Sequence, residues 1–356
     1  MFIFKNSKRD HYLRKRRRDT HNTNDDSRHL EAVSEFINEH KAAFAAVVFI
    51  ALVNSRNKVN EDAVRNAMSQ GEVEDASVLT PEQYGGIFQQ MTTAFSRPDI
   101  RQSYEDGAQQ GINLVHLDIS VGRVPSNGGS GDGPGAAVPN LNSPEIPRFA
   151  PIFDYQRSYN EWTQMHTGEL IRQIDNGQRN IVKQIINDNL QNERSYQTAA
   201  AQIRQHIGLT SRQSEAVTRY RNRRAAELLR DNPTMRPSTA ERRARKDAER
   251  YADSLRRYRA NNIARTELAK AQMNAALEYI HWGQENGFFG AMHGEWVVSG
   301  NAHVCPDCQD LDGHIIDLEH DPLPPLHPQC ACGIRFIEGE AESTFPEKYR
   351  EKYLDD

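Results

Sequence analysis

Apolar residues recur at helical spacing over most of this 356-residue chain. Leu30, Val33, Phe36 and Ile37 fall three or four residues apart and lead into the apolar run Ala42–Val53, which predicts a helix with a buried face. Thr80, Pro81 and Gln83 supply a cap, a first-turn proline and the third-position partner of a capping box, so another helix starts there. From Trp162 to Leu190, residues Leu170, Ile171, Ile174, Ile181, Val182, Ile185, Ile186 and Leu190 make one face of a long helix. Thr210 and Gln213 repeat the capping box and open a helix towards Arg230, which Asn232-Pro233 and Arg236-Pro237 end. A third helix runs from Ser238 into the Glu278 region, basic at first and then rich in small residues at Ala264, Ala269, Ala271, Ala275 and Ala276.

Two stretches break this pattern. Val121–Pro151 is rich in Gly, Pro, Asn and Ser and carries too few large apolar side chains to offset its ordering entropy. Its Gly128–Gly135 core has no Lys-Ser/Thr pair after it and no strand before it, so it does not read as a phosphate loop. After Gly283 the glycines 287, 290, 294 and 300 punctuate short apolar pieces, Phe288-Phe289 and Trp296-Val297-Val298, which predicts a small hairpin-bearing module. The expected fold is therefore mainly α, an extended helical body with flexible arms and a small α+β C-terminal module. The expected divisions are a basic flexible arm (1–28), an N-terminal helical domain (29–120), a Gly/Pro-rich linker (121–155), a long-helix body (156–282), the module (283–338) and a solvated charged tail (339–356).

The apolar fraction of 37% is low and the charged fraction of 26% ordinary, which fits helices with wide polar faces rather than wholesale disorder. Ala42–Val53 is too short for a bilayer span, which needs about 20 residues, and too far from the start for a signal peptide, so no membrane span is expected. The net charge of -5 conceals two basic zones, each with nine Lys/Arg against four acids, at Met1–Arg28 and Ser238–Arg265. Basic helical faces attract phosphates, and Arg242, Arg243, Arg245, Lys246, Arg256 and Arg257 are the candidate nucleic-acid contacts. Only Tyr251 and Tyr258 accompany them, too few aromatics for a base-stacking single-strand binder.

All four cysteines lie within Cys305–Cys332 and none precedes them. A disulfide scaffold would spread them; clustered thiols in an otherwise cysteine-free chain point to a metal in a reducing compartment. Cys305-Pro-Asp-Cys308 projects two thiolates from a turn, and His327-Pro-Gln-Cys330-Ala-Cys332 offers three further donors. Zinc needs four, so Cys305 and Cys308 are the firmest ligands, with two more from His327, Cys330 and Cys332. A thiolate-rich set implies structural Zn2+, closed to water. Unliganded thiols or two disulfides are the alternatives.

Other groups admit two readings. Asp310, Asp312 and His314 could be assembled into a nuclease site, but Asp312-Gly313 is first a turn signal. His293, His303 and His320 read as surface residues. Arg265 and Glu267 are two apart on a helix and face different ways, so Glu267 should pair with another element rather than with Arg265.

The order Ile263-Ala264-Arg265-Thr266-Glu267, Trp296, Cys305-x-x-Cys308-x-x-Leu311-Asp312-Gly313 and His327-Pro328-x-Cys330-x-Cys332 resembles the Mu F-like minor head proteins of tailed bacteriophages, a family that includes an SPP1-type head morphogenesis protein. The resemblance covers roughly Trp162–Glu338. It implies a non-enzymatic virion component at the portal vertex or head interior, made in the host cytoplasm and acting in head assembly, DNA packaging or genome delivery. Its implied partners are the portal protein, with major capsid or scaffolding protein as further candidates, and packaged DNA bound without sequence preference. The rival readings are a metal-dependent nuclease or nucleotide-transferring enzyme, and a DNA-binding zinc protein.

Overall fold

The computed structural model describes residues 23–122, 155–298, 304–330 and 332–354. Most of the expected basic arm and Gly/Pro-rich linker lies outside these residues. Nine α-helices precede the sheet among the described residues: α1 (Thr23–Arg56), α2 (Glu61–Ser69), α3 (Pro81–Tyr84), α4 (Ile87–Phe95), α5 (Pro98–Gly122), α6 (Tyr155–Gln191), α7 (Tyr196–His206), α8 (Ser211–Asp231) and α9 (Pro237–Glu285). Strands β1 (Met292–Val297), β2 (Ile315–Ile316) and β3 (Gly333–Glu338) follow, with α10 (Pro306–Leu311) before β2 and α11 (Glu347–Leu354) at the end. The fold is mainly α with a small α+β unit near the C-terminus, as the sequence pattern predicts.

Local chemistry places most boundaries. Asn60 caps α2 by accepting from the Asp62 and Ala63 amides. Both capping boxes form: Thr80 N–H donates to Gln83 Oε1 at 2.6 Å, and Thr210 N–H donates to Gln213 Oε1 at 3.0 Å. Pro237 occupies the first turn of α9, where its missing N–H costs nothing. Helix α1 starts at Thr23, inside the stretch expected to be a flexible arm. Once the downstream turns are anchored, adding residues to a helix costs little compared with nucleating one.

One core joins segments that the sequence divides. Phe36, Phe44 and Leu52 of α1, Ile87 and Met91 of α4 and Tyr104 of α5 pack with Ile174, Val182 and Ile186 of α6 and with Ala260, Ala264 and Leu268 of α9. Residues 29–120 are thus part of the same body as 156–282, not a separate domain. The contact is close because small residues line it: a Cβ added to Gly111 would stand 2.0 Å from the Gln272 carbonyl oxygen, and one on Gly107 3.2 Å from Ala271 Cβ. By length and composition alone, Val33–Arg56 is apolar enough to cross a membrane. Here its Phe44, Val48 and Leu52 are fully buried against the other helices.

Helices α8 and α9 form a hairpin with its own small core of Leu209, Val217, Ala248 and Ala252. Along α9 the buried positions 240, 244, 248, 252, 256, 260 and 264 step by four, and all are alanine except Arg256. That ridge lets α8 and the body approach closely.

His206, at the end of α7, is 3% exposed and its Nδ1 lies 2.8 Å from Ser214 Oγ. Burial first, then Arg221 and Arg256, pushes its pKa down to about 4. Because the folded value lies below the unfolded one of 6.5, the unfolded chain takes up the proton first. The body should therefore be fully stable with respect to this group above about pH 6.5, and lose roughly 3 kcal/mol as pH falls from there to about 4. Urea unfolding of the wild type and of His206→Gln at pH 7 and pH 4.5 checks this: the variant should show a clearly smaller loss between the two pH values.

Candidate metal centre

The C-terminal unit is built on an antiparallel sheet with strand order β2-β1-β3, in which Gly294 faces Ile316 and Phe336 on its two sides. Its core contains Trp296, Leu311, Ile334 and Phe336, and is completed by Ile112, Val115 and Ile119 of α5 and by Ala276, Tyr279 and Ile280 of α9. Asp118 of α5 accepts from the Phe336 amide at 3.0 Å. The module is therefore seated on the helical body rather than tethered to it.

Two tight local structures carry the donors. Cys305 is the N-cap of α10, its Sγ accepting from the Cys308 amide at 3.3 Å, with Pro306 in the first turn. Both sulfurs thus come from one helix start. In the second, the Cys330 amide closes on the His327 carbonyl at 3.0 Å, and Gln329 takes φ 66 after Pro328. This is the geometry of a type II turn, and it brings His327 and Cys330 to the same side. Cys332 follows immediately before β3.

These elements converge. Cys305, Cys308 and His327 have donor atoms all within 4.8 Å of one another, as do Cys308, Cys330 and Cys332. His327 Nε2 lies 3.1 Å from Cys305 Sγ and 3.2 Å from Cys308 Sγ, and Cys308 Sγ lies 3.9 Å from Cys330 Sγ. A tetrahedral ion with metal–sulfur bonds of about 2.3 Å and metal–nitrogen bonds of about 2.0 Å has S···S edges of about 3.8 Å and S···N edges of about 3.5 Å. The sulfur–sulfur distance already has this length, and the S···N distances are only slightly shorter. The cluster could hold a metal ion. All four cysteines are free thiols, so neither disulfide pairing forms.

The sulfurs of Cys308, Cys330 and Cys332 act on one another. The Cys308 thiol is pushed up because it serves as proton donor to Cys330, and the Cys330 thiolate is favoured by donors from Cys308 and Cys332. At Cys332 the contact with Cys308 favours the thiolate, but Cys330 and burial outweigh it and push the Cys332 thiol up, with the nearby buried Trp296 indole N–H a minor opposing influence. Metal uptake would release the shared protons.

No protein family, characterised protein or solved structure matches this chain.

The remaining candidates lie elsewhere. Asp310 accepts from Lys348 Nζ and Tyr349 Oη, Asp312 Oδ1 from the Val298 amide, and His314 Nδ1 lies 2.6 Å from the Thr344 carbonyl. Glu267 does pair across elements: its buried Oε2 takes Tyr104 Oη at 2.8 Å and His166 Nε2 at 2.7 Å. His166 in turn stacks on Trp162 at 4.6 Å. No sequence signal marked His166 as the partner. His293 bonds to the Gly339 carbonyl, His320 to Asp317, and His303 lies outside the described residues.

Of the expected nucleic-acid contacts, Arg242, Arg243, Arg245, Lys246 and Arg257 are exposed on α9. Arg256 is not available. It is fully buried, donating to the carbonyls of Ile207 at 2.7 Å and Gln205 at 2.6 Å and to Asp253 at 2.7 Å. The open last-turn carbonyls of α7 demand a donor, and Arg256 lies on the face of α9 that meets them.

Proposed function

We propose that this chain is a minor head protein of a tailed bacteriophage, a non-enzymatic virion component at the portal vertex or head interior, with one structural zinc in its C-terminal module. The observation that carries this reading is the meeting of Cys305, Cys308, His327, Cys330 and Cys332 at one point, because these residues are also the most specific part of the resemblance to Mu F-like head proteins. Zinc is the metal that suits four or five thiolate and imidazole donors in a tetrahedral, largely buried setting. The partners proposed are the portal protein, major capsid or scaffolding protein, and packaged DNA. Exposed Arg242, Arg243, Arg245, Lys246 and Arg257 on the projecting hairpin offer phosphate contacts that need no base readout. Asp310, Asp312, His314 and Glu267, which an enzymatic reading would require, are each engaged in hydrogen bonds that shape the fold.

The test is co-expression with a portal, scaffolding and major capsid set from a tailed phage that encodes this chain, followed by purification of assembled heads. The chain should co-purify with portal-bearing heads at low copy and carry about one zinc. A chain found only free, with heads of normal composition lacking it, would remove the reading. The DNA contribution is separable: duplex binding by the purified protein should weaken steeply between 50 and 200 mM salt, by roughly 500-fold if Arg242, Arg243, Arg245, Lys246 and Arg257 each meet a phosphate.

A further inference from the structure

Residues 339–356 read in the sequence as a solvated charged tail, yet the structure docks the segment 343–353. Phe345 and Tyr349 are buried in the module core, Phe345 packing on Trp296 with ring centroids 6.3 Å apart. Asp321, whose side chain is fully buried, is met by Arg350 Nε at 2.6 Å, and Arg350 also donates to Ser343 Oγ at 3.0 Å.

The more consequential contacts are with α10, the helix that carries Cys305 and Cys308. Asp307, between the two cysteines, accepts from Lys352 Nζ at 2.5 Å and Tyr353 Oη at 2.7 Å. Asp310 accepts from Lys348 Nζ at 2.6 Å and Tyr349 Oη at 3.0 Å. Residues 307 and 310 share one face of α10, and the Lys-Tyr pairs of α11 repeat four residues apart, so the two short helices are braced at two successive turns. A six-residue helix has almost no stability of its own and cannot hold two thiolates in fixed positions without support.

We propose that residues 343–354 are a latch that positions the ligand helix of the metal site, so that latch closure and metal retention are coupled. This rests on the metal reading above. Asp307 and Asp310 are positioning residues: they touch no donor atom of the cluster but fix the helix from which Cys305 and Cys308 project. For the metal to leave, those two sulfurs must draw away from His327 and Cys330, and the brace opposes that movement. By thermodynamic reciprocity, bound metal must hold the latch closed to the same extent that the latch holds the metal.

The experiment is zinc transfer from the full-length protein to excess chromophoric chelator, compared with a chain ending at Glu342 and with the Tyr349→Phe, Tyr353→Phe double variant. Loss of such outer supports typically weakens metal sites by about 10- to 100-fold. Release should accelerate at least about tenfold in the shortened chain and by a smaller, measurable factor in the double variant, which deletes two hydroxyls and leaves the packing. Reciprocally, amide exchange in residues 343–354 of the wild type should slow when zinc is added. Equal release rates in all three proteins, or exchange in 343–354 that ignores zinc, would overturn the coupling while leaving the metal site standing. A wild-type chain that takes up no zinc would overturn the metal reading and the coupling together.

Discussion

Cys308→Ser should take the purified protein from about one zinc per chain to none and loosen residues 304–332, while the helical body stays folded. Cys308 is the one donor common to both triads, and its sulfur is buried between His327 and Cys330. A serine hydroxyl does not supply the thiolate that the site needs. Losing Cys332 or His327 instead leaves one of the two triads complete, whereas losing Cys308 leaves neither, so those variants should retain much of their metal. A metal present at about a thousand times its dissociation constant contributes about 4 kcal/mol, and this stabilisation disappears in the Cys308 variant. The loosening should be confined, because Trp296, Ile334 and Phe336 also pack on α5 and α9, which owe nothing to the metal. Elemental analysis gives the stoichiometry and amide exchange maps the loosening. Retention of one zinc by the variant, or unchanged exchange across 304–332, would show that this cluster is not the binding site.

The second large effect is expected at a residue with no metal role. Arg256→Ala should destabilise the helical body by about 3 to 5 kcal/mol, read from urea unfolding. The guanidinium is fully buried and supplies donors to the carbonyls of Ile207 and Gln205, with a longer contact of 3.4 Å to Arg204. Each buried carbonyl left without a donor costs about 1 to 3 kcal/mol, and the vacated volume adds a cavity cost. The neighbouring Arg257 is exposed and rests on the Phe49 ring at 5.2 Å, so Arg257→Ala should change stability by only about 0.5 kcal/mol. A loss below about 1 kcal/mol at Arg256 would mean that water replaces its hydrogen bonds and that the end of α7 is more open than its burial implies.

The contrast between these two arginines marks where sequence reading works. Signals confined to a few neighbouring residues are legible: the capping boxes at Thr80 and Thr210, the Asn232-Pro233 stop after α8 and the Cys305/Cys308 and His327/Cys330 spacings all produce the expected local structures. Arg256 sits in a basic stretch and reads as one more surface cation. Its burial follows from a four-residue ladder of alanines on either side, a pattern that became apparent only once α9 had a partner to face. The Lys348-Tyr349 and Lys352-Tyr353 repeat is a similar case, because nothing in the tail itself says that Asp307 and Asp310 lie across from it. The shared core of residues 29–120 and 156–282 is less legible still. It depends on glycines 107 and 111 meeting α9 across more than 150 residues of chain, and short-range periodicity carries no record of such a meeting.

Helix α9 continues without interruption for 49 residues, about 74 Å at 1.5 Å per residue. One end bears the exposed arginines of the hairpin, the middle is gripped by α1 and α5, and the last turns form part of the floor beneath the sheet. From Ala260 in the gripped region to Pro237 is about 35 Å, so a tilt of about five degrees there displaces the tip by roughly 3 Å. The opposite end of the same helix lies beneath the sheet whose strand β3 follows directly on Cys332. One unbroken rod thus joins the exposed basic tip to the floor of the metal-bearing unit.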